Sequence, residues 1–144
     1  MCEKLECIVK REKWNECQRI FIPKGEKEHE LFIEKFMQRE AKVTIDRHLS
    51  QKRQNERGIS DSDIFDILTN GWVIERNTDS GKKSLVILGY TKNYRPLHLV
   101  INIVKKNEWV AVTSYDPRTH EWKWNNTYDE RICFCKKGEE DCYE

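Results

Sequence analysis

Residues 45–57 concentrate the side chains that can act on a phosphate ester. Only Ile45 and Leu49 in this range are apolar, and the basic or titratable side chains are Arg47, His48, Lys52, Arg53 and Arg57. A helix over this range places His48 one turn from Lys52. It also places Arg53 one turn from Arg57. Cleavage of a phosphodiester needs fixed cations and a group that transfers protons, so the segment predicts phosphate chemistry.

Further candidates lie downstream of this segment. His98 stands in the middle of an apolar run, Tyr115 ends another, and Arg118 follows across a turn. These residues can converge with the cationic helix on one face of a sheet. Simpler roles compete with this interpretation, because His98 between two leucines is typical of a core histidine with a hydrogen-bond partner. Charged helices are usually solvated, and Arg57 before Gly58 can complement a helix C-terminus.

The elements that must position these residues begin with helices. The stretch Arg19–Gly25 predicts a short strand closed by a turn, and apolar spacing predicts a helix over 26–42. The cationic helix over 45–57 ends at Gly58. A third helix opens at Ser60, where Asp63 completes a capping box, and it ends at Asn70-Gly71.

Extended segments follow the helices. Strands are predicted from Trp72, over 83–90, over 97–104 and over 109–115, with short turns between them. Short connections favour an antiparallel meander. Helices first and strands afterwards predict an α+β fold, with N-terminal helices on an antiparallel sheet of four or more strands. The run 120–124, if extended, puts Trp122 and Trp124 on one face.

Composition limits the function classes. The 144 residues include 26 Lys and Arg against 25 Asp and Glu, with five each of Trp, Tyr and Phe, which argues against a disordered chain. No apolar run approaches the ~18 residues of a membrane helix, and the N-terminus has no apolar core typical of a secretion signal. We therefore expect a cytoplasmic protein without a membrane partner. Nucleotide-binding loops, a zinc-protease helix and a nucleophile elbow are absent from the sequence.

A combination of short strings resembles a bacterial toxin-like domain related to the BrnT, MqsR and RelE toxins. The strings, over residues 43–118, are His48-x4-Arg53-x3-Arg57-Gly58-Ile59-Ser60, Asp63-Ile64, Asn70-Gly71, Leu85-Val86-Ile87-Leu88-Gly89, Arg95-Pro96-Leu97-His98-Leu99-Val100 and Val112-Thr113-Ser114-Tyr115. The resemblance implies a RelE/barnase-like fold with a curved sheet. It also implies an endoribonuclease or RNA-binding effector that needs no cofactor for catalysis and is restrained by an antitoxin-like protein partner.

The resemblance also implies roles for individual residues. His48 would be the acid or base, and Arg53 and Arg57 would hold phosphate. His98 and Tyr115 would transfer protons or stack on bases. Further cations for RNA are Arg47, Lys52 and Arg118. Residues 1–42, an N-terminal helical extension, and 119–144, a C-terminal extension, lie outside the resemblance and suggest a partner surface, an oligomer interface or a control element.

A second hypothesis keeps the scaffold but not the catalysis. In a protein-binding or regulatory module, His98 is buried and the cations of 45–57 pair with nearby carboxylates. This hypothesis also predicts an exposed apolar patch near Trp14, Trp122 or Trp124.

All six cysteines lie near the chain ends. Cys2, Cys7 and Cys17 stand at one end, and Cys133, Cys135 and Cys142 at the other. If the ends meet, a structural zinc ion can be held by Cys133, Cys135 and Cys142, with Cys7 as the fourth ligand. Disulfides in an oxidising compartment and free or buried thiols are the alternatives.

Overall fold

The structure is a computed structural model that describes residues 3–47, 57–79 and 81–135. A long helix comes first, followed by a short strand, a second helix and four further strands. Their bounds are α1 Leu5–Met37, β1 Lys42–Ile45, α2 Asp61–Asn70, β2 Trp72–Asp79, β3 Lys82–Tyr90, β4 Pro96–Lys105 and β5 Glu108–Tyr115, with a 3₁₀ helix over Pro117–Lys123. Neither α1 nor α2 is both long and apolar enough to cross a membrane.

The described strands form one sheet in the order β1-β5-β4-β3-β2. Strands β2 to β5 pair antiparallel with their chain neighbours, which confirms the predicted meander and the α+β class. The sheet has one strand more than the four that the sequence outlined. This strand, β1, pairs parallel with β5 in the register Val43↔Trp109, so the sheet is mixed.

Helix α1 overturns the predicted strand over Arg19–Gly25, since the chain stays helical through Pro23. The reason is its contact with the edge strand β2. Buried Gln18 accepts a hydrogen bond from the Arg76 N–H at 2.8 Å and donates to the Arg76 carbonyl at 3.3 Å. Gly25 lets the helix approach closely, because a Cβ there would lie 2.8 Å from the Arg76 side chain.

The segment after α1 also differs from prediction. The helix predicted over 26–42 ends at Met37, and Arg39 takes a left-handed conformation with φ 62°. Lys42–Ile45 is strand β1, so the helix predicted over 45–57 does not include Ile45. Residues 48–56 of that predicted helix lie outside the described residues.

Helix α2 begins as its sequence predicts. The Ser60 hydroxyl accepts from the Asp63 N–H at 3.1 Å, and the Asp63 carboxylate accepts from the Ser60 N–H at 3.0 Å. The predicted capping box and the end at Asn70-Gly71 are therefore confirmed.

Alternation along the strands gives the sheet two buried faces. One face packs beneath the helices, where Phe32 stacks on Trp109 with ring centroids 3.8 Å apart, beside Leu85, Ile87 and Leu99. The opposite face carries Ile74, Val86, Leu88 and Val100, packed with Trp124, Tyr115 and Tyr128.

Residues 117–135, here called the C-terminal segment, cover this second face. Trp122 lies in the 3₁₀ helix rather than in an extended run, which corrects the placement of Trp122 and Trp124 on one face of a strand. Trp124 instead forms a bridge with Arg131, and the Ile132 N–H donates to the Lys123 carbonyl at 2.7 Å. The chain therefore folds back on itself and presses Trp124 onto the sheet.

Candidate functional site

His98 and Tyr115 are adjacent on β4 and β5 and form the centre of the second face. Their residues are register partners, and the Tyr115 hydroxyl lies 3.2 Å from His98 Nδ1. His98 Nε2 lies 2.7 Å from the Tyr128 carbonyl oxygen. Because a carbonyl only accepts, Nε2 carries the proton, and Nδ1 accepts from the Tyr115 hydroxyl. Both ring nitrogens of His98 are thus engaged.

Burial sets the protonation states of this pair. It lowers the pKa of His98 to about 4, and the nearby Arg131 cation acts in the same direction, against the Tyr128 carbonyl and Asp116. Burial also raises the pKa of Tyr115 to about 12. A neutral imidazole beside a neutral phenol therefore persists at neutral pH.

The C-terminal segment closes this centre to solvent. Trp124 packs edge-on against His98 with ring centroids 4.3 Å apart, and His98 has no exposed surface. Tyr128, in a left-handed conformation with φ 62°, supplies the carbonyl that His98 binds. The segment is therefore a cover with a specific polar contact to the site beneath it.

An ion pair anchors the cover. The Arg131 guanidinium binds the buried Glu75 carboxylate with two hydrogen bonds of 3.1 and 3.2 Å. The same guanidinium lies over three aromatic rings, 4.9 Å from the centroid of Trp124, 5.4 Å from that of Trp14 and 5.9 Å from that of Phe134. Arg131 thus joins the sheet, α1 and the C-terminal segment.

A second group of arginines fixes the ends of the strands. Arg57 donates to the Ser114 carbonyl at 2.7 Å, and Arg95 donates to the Arg57 carbonyl at 2.7 Å and to Asp116 at 3.0 Å. Burial raises the pKa of Asp116, but hydrogen bonds from Arg118 and Arg95 outweigh it and hold that pKa below the usual value. These contacts position the chain before α2 against the end of β5.

Among the described residues, the sequence-predicted site residues do not share one exposed face. His98 is completely buried and Tyr115 is half-buried beneath the C-terminal segment, so the face of the sheet on which this pair lies is covered. Arg57 binds the β5 backbone, and Arg118 binds Asp116 at 2.8 Å. Exposed Arg47 lies 3.9 Å from the Asp61 carboxylate. His48, Lys52 and Arg53 lie outside the described residues.

The chain ends meet at a cysteine cluster, as the sequence predicts for Cys7, Cys133 and Cys135. Cys7 Sγ lies 3.7 Å from Cys135 Sγ and 4.0 Å from Cys133 Sγ, and all three sulfur atoms lie within 4.8 Å of one another. Cys17 is exposed and stands apart from the described cluster. The fourth predicted ligand, Cys142, lies outside the described residues.

Backbone N–H groups point at these sulfur atoms. The Phe134 N–H donates to Cys7 Sγ at 3.4 Å, and the Cys135 N–H donates to Cys133 Sγ at 3.5 Å. Burial raises the pKa of Cys7, but the Phe134 hydrogen bond and the neighbouring thiols lower it below the usual value. Burial and the two neighbours raise the pKa of Cys135 to about 12. Such crowding resists full ionisation unless a cation is bound, so the cluster could bind a metal ion.

Sequence reasoning missed the anchor and an aromatic surface. Glu75 and Arg131 are 56 residues apart, and only their opposite charges hinted at a pair. Exposed Trp72 and Tyr90 stack with ring centroids 6.3 Å apart, near the end of the sheet that carries Tyr94, which is 85% exposed. Of the three tryptophans named for an exposed apolar patch, Trp124 is buried, and Trp14 and Trp122 are half-buried.

Comparison with known proteins gives a family. The sequence profile of the family described as domain of unknown function DUF4258 matches residues 45–116, half of the chain, so the chain belongs to this family. Searches of the curated proteins and of the solved structures returned no significant match.

The low pKa of His98 predicts that acid weakens the fold. Unfolded histidine binds a proton near pH 6.5, whereas folded His98 binds one only near pH 4. Between these values the unfolded chain holds an extra proton, so the free energy of unfolding should fall by about 3 kcal/mol as pH drops from 7 to 4. Urea unfolding at several pH values between 7 and 4 measures this change in the free energy of unfolding.

The matched variant is His98→Gln, which removes the titrating group and keeps polar atoms. His29, whose pKa burial also lowers, remains to give part of the slope. The variant should therefore lose stability less steeply than wild type. An identical slope in both proteins contradicts the assignment.

Proposed function

We propose that this member of the DUF4258 family is a non-catalytic binding and regulatory module on a toxin-like scaffold. The observation that carries the proposal is the state of His98, which is buried and bound through both ring nitrogens. A general base needs a free lone pair near the substrate and a pKa near the working pH. His98 has neither. The resemblance to BrnT, MqsR and RelE toxins supports the toxin-like fold. A protein can keep such a fold and lose RNA cleavage, because catalysis depends on the site residues and not on the fold.

A protein partner fits this role. The stacked Trp72 and Tyr90 are 47% and 45% exposed, and Tyr94 is more exposed still. Tryptophan and tyrosine are enriched at protein interfaces. The near balance of 26 basic and 25 acidic residues supports a protein partner over RNA, since strong RNA binders are usually more basic.

One observation favours a second candidate, a metal-independent endoribonuclease that the cover restrains. The family match ends at residue 116, and the C-terminal segment begins at residue 117. All of the catalytic candidates therefore lie in the matched domain, and the cover lies outside it. In this alternative, His48 and Arg53 act on RNA only after the segment leaves His98 and Tyr115.

RNA cleavage in buffer without added magnesium or chelator, which leaves the proposed zinc ion in place, separates the two functions. We expect no cleavage by wild type or by Arg131→Lys, which keeps the charge but breaks the two-pronged contact that anchors the cover. Arg118→Lys is the matched control, since Arg118 also binds a carboxylate but does not anchor the segment. Cleavage that appears in Arg131→Lys and disappears on adding His48→Ala supports the restrained enzyme. Cleavage by wild type that His48→Ala abolishes contradicts the non-catalytic function.

The proposal includes a structural zinc ion on the paired chain ends. Tetrahedral zinc with sulfur ligands at ~2.3 Å needs sulfur atoms about 3.8 Å apart. The separations of 3.7 and 4.0 Å from Cys7 Sγ fit this spacing, and the N–H donors to Cys7 and Cys133 suit thiolates. Cys142 is the proposed fourth ligand. The ion would stabilise the contact between α1 and the C-terminal segment.

Metal titration tests this site. Wild type should bind one zinc or cobalt ion per chain, with thiolate-to-cobalt absorption, proton release and a raised melting temperature. Cys133→Ser should weaken binding by about tenfold or more. Cys17→Ser is the control and should leave metal binding unchanged. Cys142→Ser tests whether Cys142 is the fourth ligand. No binding by reduced wild type, or equal losses in Cys17→Ser and Cys133→Ser, contradicts the zinc site.

A further inference from the structure

A groove lies between the C-terminal half of α1 and the end of the sheet that is remote from His98. Its volume is about 600 Å³, which falls in the ~300–1,000 Å³ range of small-molecule sites. One row of the sheet forms its floor, where Lys83, Ile103 and Trp109 are register partners on β3, β4 and β5. The lining includes neither His98 nor a described cysteine, so the groove is separate from both sites discussed above.

The inner surface of the groove is apolar. Leu31 and Phe32 of α1 form one wall, and Ile103 and Trp109 face them from the sheet. Leu31 is 44% exposed, so part of this apolar surface is open to solvent. The indole nitrogen of Trp109 is buried and presents no donor to the groove. A ligand with a polar body would lose hydrogen bonds to water here without replacing them, so the interior suits a hydrocarbon.

The rim of the groove is basic. Its lysines are Lys35, Lys82, Lys83, Lys105 and Lys106. The acidic residue of the lining, Glu28, binds Arg76 at 3.0 Å. Lys35 and Lys105 have carboxylate partners, but no carboxylate among the described side chains pairs with Lys82, Lys83 or Lys106. The rim therefore attracts an anion to the mouth of an apolar groove.

We propose that this groove binds a fatty acid. The hydrocarbon chain lies against Leu31, Phe32 and Ile103, and the carboxylate lies at the lysine rim. Nucleotides and peptides fit less well, because their polar bodies need hydrogen-bond partners that the apolar walls do not offer. A neutral lipid would leave the charge of the rim without a counterpart. The inference goes beyond the proposed binding role, and the groove shares no residue with the His98 centre or with the aromatic surface.

Calorimetric titration of the full chain with decanoate, below its micelle concentration, tests the proposal. One decanoate should bind per chain, about fivefold or more tighter than decanol or decyltrimethylammonium, which keep the hydrocarbon chain but lack the negative charge. Octanoate should bind about tenfold weaker than decanoate, because each buried methylene contributes about fourfold in affinity. Added salt should weaken the binding of decanoate but not that of decanol.

Two variants at exposed positions test the two parts of the groove separately. Leu31→Ser should weaken decanoate and decanol alike, by about fivefold, whereas Leu5→Ser, a 75% exposed leucine of α1 outside the groove, should weaken neither. Lys83→Ala should weaken decanoate by about threefold and leave decanol unchanged. Its control is Lys24→Ala, an exposed lysine of α1 outside the groove, which should leave both affinities unchanged.

Several results would overturn the proposal. They include absence of saturable decanoate binding by wild type, equal affinity for decanol and decanoate, and equal losses in Leu31→Ser and Leu5→Ser. Binding to phosphatidylglycerol vesicles but not to monomeric decanoate overturns it in favour of a membrane surface. Tighter binding of adenosine monophosphate than of decanoate overturns it in favour of a nucleotide site. Each result leaves the cleavage assay on the His98 centre unaffected, so the two proposals fail separately.

Discussion

The contact between Glu75 and Arg131 is the constraint on which the second face of the sheet depends. Glu75 is 1% exposed, and an unpaired carboxylate at that depth is strongly unfavourable. Arg131 provides two hydrogen bonds to it and lies over rings of Trp14, Trp124 and Phe134. The carboxylate therefore draws the C-terminal segment onto the sheet and α1 onto the segment, since no other described cation pairs with it.

This anchoring explains why the chain ends and the buried histidine belong to one arrangement. With Arg131 fixed, Trp124 packs on His98, and the backbone at 133–135 comes to Cys7. Cys7 Sγ then lies 3.7 Å from Cys135 Sγ and 4.0 Å from Cys133 Sγ, close to the sulfur spacing around a tetrahedral metal. A metal ion there would stabilise the same contact from the other side. The centre at His98 is consequently closed to solvent by the C-terminal segment.

The sequence predicted the features that depend on neighbouring residues. The alternation of apolar and polar residues predicted β2 to β5, and Ser60 with Asp63 predicted the start of α2. Prediction from the sequence was wrong where tertiary contacts override the local preference for helix or strand. Ile20 and Ile22 beside Pro23 suggest a strand, yet the pairing of Gln18 with the edge of β2 and the close approach at Gly25 keep the chain helical. The short β1 was missed because four residues carry little pattern.

For the site, the sequence indicated which residue types could act, but it did not indicate which of them are buried. The strand pattern predicted that His98 and Tyr115 can lie on one face of the sheet, and the positions of Cys7, Cys133 and Cys135 predicted a cluster if the chain ends meet. The cover could not be foreseen, since it depends on the match of Glu75 with Arg131, 56 residues apart.

The pKa of His98, measured by NMR titration in wild type and in Arg131→Lys, tests the cover most directly. We expect a pKa of about 4 in wild type. In Arg131→Lys, where the charge remains but the anchor is broken, the pKa of His98 should rise toward the ordinary ~6.5, and in Arg118→Lys it should not change. An ordinary value in wild type, or an unchanged low value in Arg131→Lys, would contradict a cover held by the Glu75–Arg131 contact.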